Sequence, residues 1–292
     1  MTRPSAQHDR PTALPGWRQV APAVLLIGLV TGSGLVAVTA TSLGLMPLFG
    51  QPAFTTSGYT AGSNDLLLAV RESLLIATAS TVLAAVLGLL AASALLGLRG
   101  GRATMRMIAV GVVAVPHVVG AASVGLLLSG AGVAPRLLGV SPGAWPELVG
   151  GAWPVATVLE LAWKESAFVA LVVLAATARR HRELAETAAV LGAGPWHRWT
   201  RVFVPTALPA LAAGSLIVFV YSLGTYEVPW LLGRAYPEPL PVMAYRLFGS
   251  LDLTARPAAA AAATTGAVVA VLAAVLALVA APALRRRSGA VR

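Results

Sequence analysis

The chain has 292 residues, 57% of them hydrophobic and 11% charged, where a soluble domain carries roughly 25% charge. That composition, with a mean hydropathy of +0.80, excludes an ordinary soluble fold and, at roughly 20 residues per bilayer span, leaves room for six spans but no sizeable second domain. Cysteine is absent, which also removes disulfides, thiolate metal sites and cysteine nucleophiles.

A tail at residues 1–19, with Arg3, Arg10 and Arg18, precedes the first apolar run at 20–47. That run exceeds the ~7 to 15 residue apolar region of a secretory signal, so it is expected to be a retained span. Runs at 73–98, 107–130, 155–178, 207–232 and 257–283 predict five more. The expectation is one all-α membrane domain over 20–284, closed by a basic tail at 285–292. The connections 48–72, 131–154 and 233–256 are rich in Pro, Gly and aromatics and poor in charge, as short loops or re-entrant turns would be. Trp145, Trp153 and Trp230 there, and Trp17 at the opposite face, fit an interfacial aromatic belt.

The net charge of +10 invites a nucleic-acid reading, which the positions of the basic residues oppose. Most of the 21 gather in the two tails and in the connections around Arg102 and Arg182, which share one side when the number of spans is even. Such an excess marks the cytoplasmic face of a cell-membrane protein with both termini inside. A nucleic-acid surface would gather them on one soluble face with interleaved aromatics, so no nucleic-acid partner is expected.

Within the third run, His117 follows Pro116, and reads either as a packed polar group at a kink or as part of a pathway. The fourth contains Glu160, Lys164 and Glu165. Ionisable groups near the bilayer centre cost ~2.5 to 3.5 kcal/mol each even on insertion scales, so each needs a partner or a function. The four-residue spacing, acid first, predicts a Glu160–Lys164 pair along one helix face. Lys164 and Glu165 are candidates for lining a translocation path, as are Tyr226 and Glu227 before Pro229 in the fifth run, where a hydrogen-bonded hinge is the alternative. Acids there would attract a cationic solute.

Between the fourth and fifth runs, segment 179–206 breaks with membrane character. Strong helix formers run to Leu191, Gly192 stands where a helix end favours a left-handed residue, and Gly194-Pro195 reopens a short helix. Pro205 is expected to end that helix and Pro209 to start the next span. A bracket joined rigidly to a membrane helix at each end would transmit a push from a soluble partner, yet the pattern alone also suits an ordinary solvated loop.

The residues favour the bracket. The run from Glu186 resembles the signature of binding-protein-dependent ABC importer permeases, a Glu-Ala-Ala followed by Gly and then Ile-x-Leu-Pro. Glu186, Thr187, Ala188 and Gly192 stand at the first positions and Val202, Val204 and Pro205 at the closing triplet, with Thr187 in place of an Ala and valines in place of Ile and Leu. KESAFVALVVLAA in the fourth run, with Ala167 where the family often has Pro, and YSLGTYEVPWLLG followed by LPVMAYRLFGSLDLTARPAAAAAA downstream, are similar to polyamine-type (spermidine/putrescine-like) permeases. The resemblance covers roughly residues 70 to 285. It implies the six-helix type I importer permease architecture, with a coupling helix at 179–206 lodged in a cytosolic ATPase subunit. Ala188 and Gly192 would permit close approach there, and Glu186 would pair with a nearby Arg such as Arg201.

It further implies a second permease subunit, identical or homologous, two cytoplasmic ATPase subunits, an extracytoplasmic solute-binding protein, and a small polar solute, polyamine-like by first expectation. ATP would belong to the ATPase subunits, because a P-loop needs a Lys and the only one here, Lys164, follows no Gly-rich run. No catalytic, cofactor or metal site is expected: His8, His117, His181 and His197 lack metal-ligand spacing with acids, and no hydrolase motif occurs. The rival reading, an ion-gradient-driven secondary transporter, predicts inverted repeats with matched broken helices, and the sequence has none.

Overall fold

The computed structural model describes residues 16–97 and 102–287; expectations placed on the tails 1–19 and 285–292 fall wholly or partly outside them. The regular secondary structure of the described residues is all helical, without strands. In chain order the helices are α1 (Gly16–Ser42), α2 (Ser57–Thr60), α3 (Ser63–Gly97), α4 (Arg102–Ala114), α5 (His117–Leu128), α6 (Val133–Leu137), α7 (Val155–Val190), α8 (Pro195–Arg198), α9 (Val204–Gly224), α10 (Glu227–Leu232), α11 (Leu240–Phe248) and α12 (Arg256–Arg287). Five described stretches are long and apolar enough to cross a membrane: Val20–Ser42, Ser63–Gly97, His117–Leu137, Pro195–Gly224 and Leu253–Val279. Helix α7, at 36 residues, has the length, but Glu160, Lys164 and Glu165 lower its apolarity.

Several expected boundaries move. Helix α3 begins at Ser63 rather than near 73, because its added turns are tied into the 233–240 segment. Arg234 donates to the buried Glu72 at 2.8 Å, the Leu240 amide donates to Ser73 at 2.8 Å, and the Tyr236 hydroxyl donates to Asp65 at 2.9 Å. The third span is two helices, α4 and α5, parted at Val115-Pro116, since Pro116 has no N–H to continue the ladder. The fifth is also broken: α9 stops at Gly224, Thr225 is extended, and α10 restarts at Glu227. Pro205 does not end a helix, nor does Pro209 start one. A π-helical turn at Trp199–Phe203 leads into α9, which carries Pro205 in its first turn and Pro209 inside; the wider turn gives the Pro205 ring the room an α-turn would deny it.

Small residues set the spacing of the bundle, as expected where lipid offers no hydrophobic drive between helices. Ala84 and Ala92 of α3, Val169, Ala170 and Val173 of α7, and Ala207 of α9 form one buried cluster with Phe203. A second joins Ile76, Ala121, Ala156, Leu161, Val228 and Leu232, drawing on α3, α5, α7 and α10. Helices α3 and α7 approach closely at Gly88, where a Cβ would come 2.7 Å from the Val169 Cβ and 2.9 Å from the Ser166 carbonyl. Backbone cannot give way there, so Gly88→Leu is expected to cost about 3 kcal/mol. The purified protein's melting temperature checks this, and an unchanged value would mean the helices are not in contact at that level.

Candidate functional site

The apolar part of α7 ends near Ala178, yet the helix continues to Val190. At about 1.5 Å per residue those twelve further residues carry it roughly 18 Å past the apolar span. The break that follows is a Schellman cap: the Gly192 amide donates to Ala189 at 3.0 Å and the Ala193 amide to Ala188 at 2.9 Å, with Gly192 at φ +82°. Helix α8 then starts on Pro195 with Gly194 as its N-cap. The expected helix, break, helix is present, except that its first helix is continuous with the fourth span.

At this tip Glu186, Thr187 and Gly192 are exposed, while Ala188, Val202 and Pro205 are half-buried. The Thr187 hydroxyl donates to the Glu183 carbonyl at 2.9 Å, as the methyl of an Ala could not. Glu186 borders a cavity of about 640 Å³ with Arg106 and Arg198, whereas Arg201 points to solvent. Arg198, not Arg201, thus shares the cavity with Glu186, without an ion pair between the two. Three residues that the signature does not contain are the most conspicuous: Val190, Leu191 and Trp196 are 88%, 81% and 70% exposed. They flank Gly192 within an otherwise charged segment, and that contrast is the signal by which sequence alone reveals them.

The second group lies inside the membrane at the α4–α5 break. The expected Glu160–Lys164 pair is not formed. Lys164 instead donates to the Val115 carbonyl, one of the acceptors that the end of α4 leaves without an intrahelical partner. His117, the first residue of α5, is bracketed by two acids, with Nδ1 3.6 Å from Glu160 and Nε2 3.4 Å from Glu165. Tyr221 of α9 lies against its ring at 4.9 Å between centroids. Glu160 is fully buried, and a side chain at Gly120 would fall on its carboxylate. The acids of the fourth span thus face His117 and share their surroundings with Lys164, and neither Glu160 oxygen has a hydrogen-bond partner.

Tyr226 and Glu227 lie apart from that cluster, at the α9–α10 break. Glu227 occupies the first turn of α10, where a carboxylate complements the helix dipole. Tyr226 stacks on Tyr245 of α11 at 4.8 Å, and Trp230 meets Tyr245 edge-on at 5.7 Å. Nearby, the Glu238 carboxylate accepts hydrogen bonds from Arg246, at 2.8 Å from Nε, and holds that guanidinium above its ordinary value. No cluster of His, Asp or Glu among the described residues has the makings of a metal site.

Comparison with known proteins converges on one family. Residues 84–288 match the family model described as binding-protein-dependent transport system inner membrane component. The chain is 31% identical over 86 residues to the sulfoquinovosyl glycerol transport system permease protein SmoG of Agrobacterium fabrum, covering 29% of this chain and 28% of that one. It is 41% identical over 66 residues to the inner membrane ABC transporter permease protein YdcU of Escherichia coli (23% and 21%). A third relative, the molybdenum transport system permease protein ModB of Azotobacter vinelandii, is 30% identical over 67 residues (23% and 30%). The matched segments thus span under a third of these relatives' lengths. In fold, the chain superposes with a TM-score of 0.73 on a subunit of a bacterial ABC transporter that imports the acidic polysaccharide alginate, covering 91% of this chain and 94% of that one at 21% identity.

Proposed function

The chain belongs to the family of binding-protein-dependent transport system inner membrane components, and from that premise we propose that it is one membrane-spanning half of an ATP-driven importer, coupled to its ATPase through the tip of α7. The observation that carries this reading is the exposed apolar group Val190, Leu191 and Trp196 around the left-handed Gly192. Exposed apolar side chains gathered on a short charged segment are costly unless a protein surface covers them. The tip sits on a helix that enters the bundle without interruption, so a displacement of the tip moves α7, and with it His117 and the α4–α5 break. On the return side, the π-turn and α9 carry the same displacement into the fifth span.

Glu186 would hold the bracket through the arginines of its cavity, and Ala188, Val202 and Pro205 would pack its base. A second permease subunit would complete the passage, two cytoplasmic ATPase subunits would bind and hydrolyse ATP, and an extracytoplasmic binding protein would deliver the solute. ATP binding would draw the two tips together and turn the passage outward; hydrolysis would reset it. The excess of Lys and Arg supports a cytoplasmic tip of α7 and cytoplasmic termini. Tyr226, Glu227, Lys164 and Glu165 border the route, with Tyr226 the most accessible of them.

The solute is read as small and polar. Relatives are named for sulfoquinovosyl glycerol and for molybdenum, solutes unlike each other and unlike a polyamine. An ion-gradient transporter has no support from the family match and would leave the α7 tip without a purpose.

Affinity purification of the tagged full chain from its native membrane tests the reading. A protein bearing a P-loop should co-purify, and Leu191→Asp combined with Trp196→Asp should release it, while the chain alone neither binds nor hydrolyses ATP. Retention of the ATPase by that double variant, or ATP hydrolysis by the chain alone, would overturn the proposal.

A further inference from the structure

At the end of the bundle opposite the α7 tip, a groove of about 780 Å³ opens between the end of α1, the segment that follows it, α11 and α12. Val38, Leu45 and Leu48 form one wall, and Phe248, Ala260 and Ala263 the other. Arg256 borders it at the beginning of the apolar stretch Leu253–Val279, on the level where α1 leaves its own span at Ser42. One end of the groove therefore meets the membrane–water boundary, and the remainder runs along apolar helix surface.

Arg256 lacks an acidic partner. No carboxylate among the described residues forms an ion pair with it, and its Nε is buried without a hydrogen-bond acceptor. The acid closest in sequence, Asp252, is already taken: it accepts from the Thr254 amide at 2.9 Å and the Thr254 hydroxyl at 2.6 Å. The guanidinium instead lies 3.9 Å over the Phe248 ring, and both residues line the groove. A buried donor left unmade is expensive, and a cation at the headgroup level calls for an anion.

We propose that this groove binds one anionic phospholipid, its phosphate on Arg256 and one acyl chain along Val38, Leu48 and Ala263. The charge at one end and the apolar walls along the rest match the two parts of that molecule. Free phosphate would use only the first, and a zwitterionic lipid brings a cation of its own to the arginine. The site is independent of the importer reading, because nothing in it involves the α7 tip or the solute.

The full chain, purified in a neutral detergent, is examined by native mass spectrometry and thermal melting with phosphatidylglycerol, phosphatidylcholine or inorganic phosphate added. Phosphatidylglycerol should be retained and should raise the melting temperature; the other two should do neither. Arg256→Gln should weaken phosphatidylglycerol retention about tenfold, the scale of one charge-assisted hydrogen bond, and Arg256→Lys should preserve most of it. Ala263→Phe, which fills an exposed position of the groove and leaves the charge in place, should displace the lipid while the protein still folds. Equal retention of both lipids, stabilisation by phosphate alone, unchanged retention in Arg256→Gln, or a cross-link from position 263 to a second copy of the chain would each overturn the proposal.

Discussion

Gly192→Leu is expected to lower uptake by at least about tenfold, the effect of losing ~1.4 kcal/mol of contact at the ATPase, while insertion and assembly of the membrane bundle persist. The residue is at φ +82°, a conformation that costs a non-glycine residue roughly 1 to 2 kcal/mol, and a Cβ placed there meets nothing within 4 Å. The chain itself thus has space for a side chain, and any steric obstruction comes from what docks on the tip. Gly139 provides a matched control. It has φ +66° and equally open surroundings, but it lies in the 131–154 connection at the other face, so Gly139→Leu carries the same backbone strain without the docking surface. Gly192→Asn separates the two contributions further, because Asn tolerates the left-handed region. Uptake in vesicles and solute-stimulated ATPase activity of the assembled complex are the readouts. Wild-type uptake by Gly192→Leu would reduce the bracket to an ordinary connector.

Lys164→Met is expected to be the most destabilising single change, by about 3 to 5 kcal/mol, the usual consequence of removing one member of a buried charged group. Lys164 is 3% exposed and does two things at once. It caps the Val115 carbonyl that the Pro116 break leaves open, and its charge offsets Glu160 and Glu165 across His117. Methionine matches the aliphatic stem and supplies neither. Melting of the purified protein and the yield of folded material measure the loss. Glu160→Gln added to Lys164→Met should recover part of it by removing the most buried acid. A Lys164→Met protein as stable as the parent would show that the break needs no cap.

Much of the fold was legible because the bilayer imposes it. A span must satisfy its own backbone, so apolar runs of sufficient length become helices almost regardless of their neighbours, and each expected run is helical, although α3 starts earlier and α7 runs on to Val190. Gly192 was legible for a local reason: only its own backbone and the two preceding carbonyls decide a Schellman cap. The charges of the fourth span were not. A four-residue spacing says that Glu160 and Lys164 can meet along α7, but each found a better partner across the bundle, in His117 and in the Val115 carbonyl, and those lie more than forty positions away in the chain. Which arginine shares a cavity with Glu186 was equally out of reach of the spacing: Arg198 lines it and Arg201 is exposed.

By itself, then, the sequence determined an all-helical membrane protein, the location of the helix break between its fourth and fifth runs and the glycine that shapes it, because hydrophobic length and cap chemistry act within a few residues. Tertiary structure alone decided where α3, the third span and the fifth span start, break and stop, and which groups lie against Glu160, Lys164 and Glu165. Those outcomes depend on which carbonyls a proline frees and on which side chains neighbouring helices bring within a few ångströms, and no spacing along one helix encodes either.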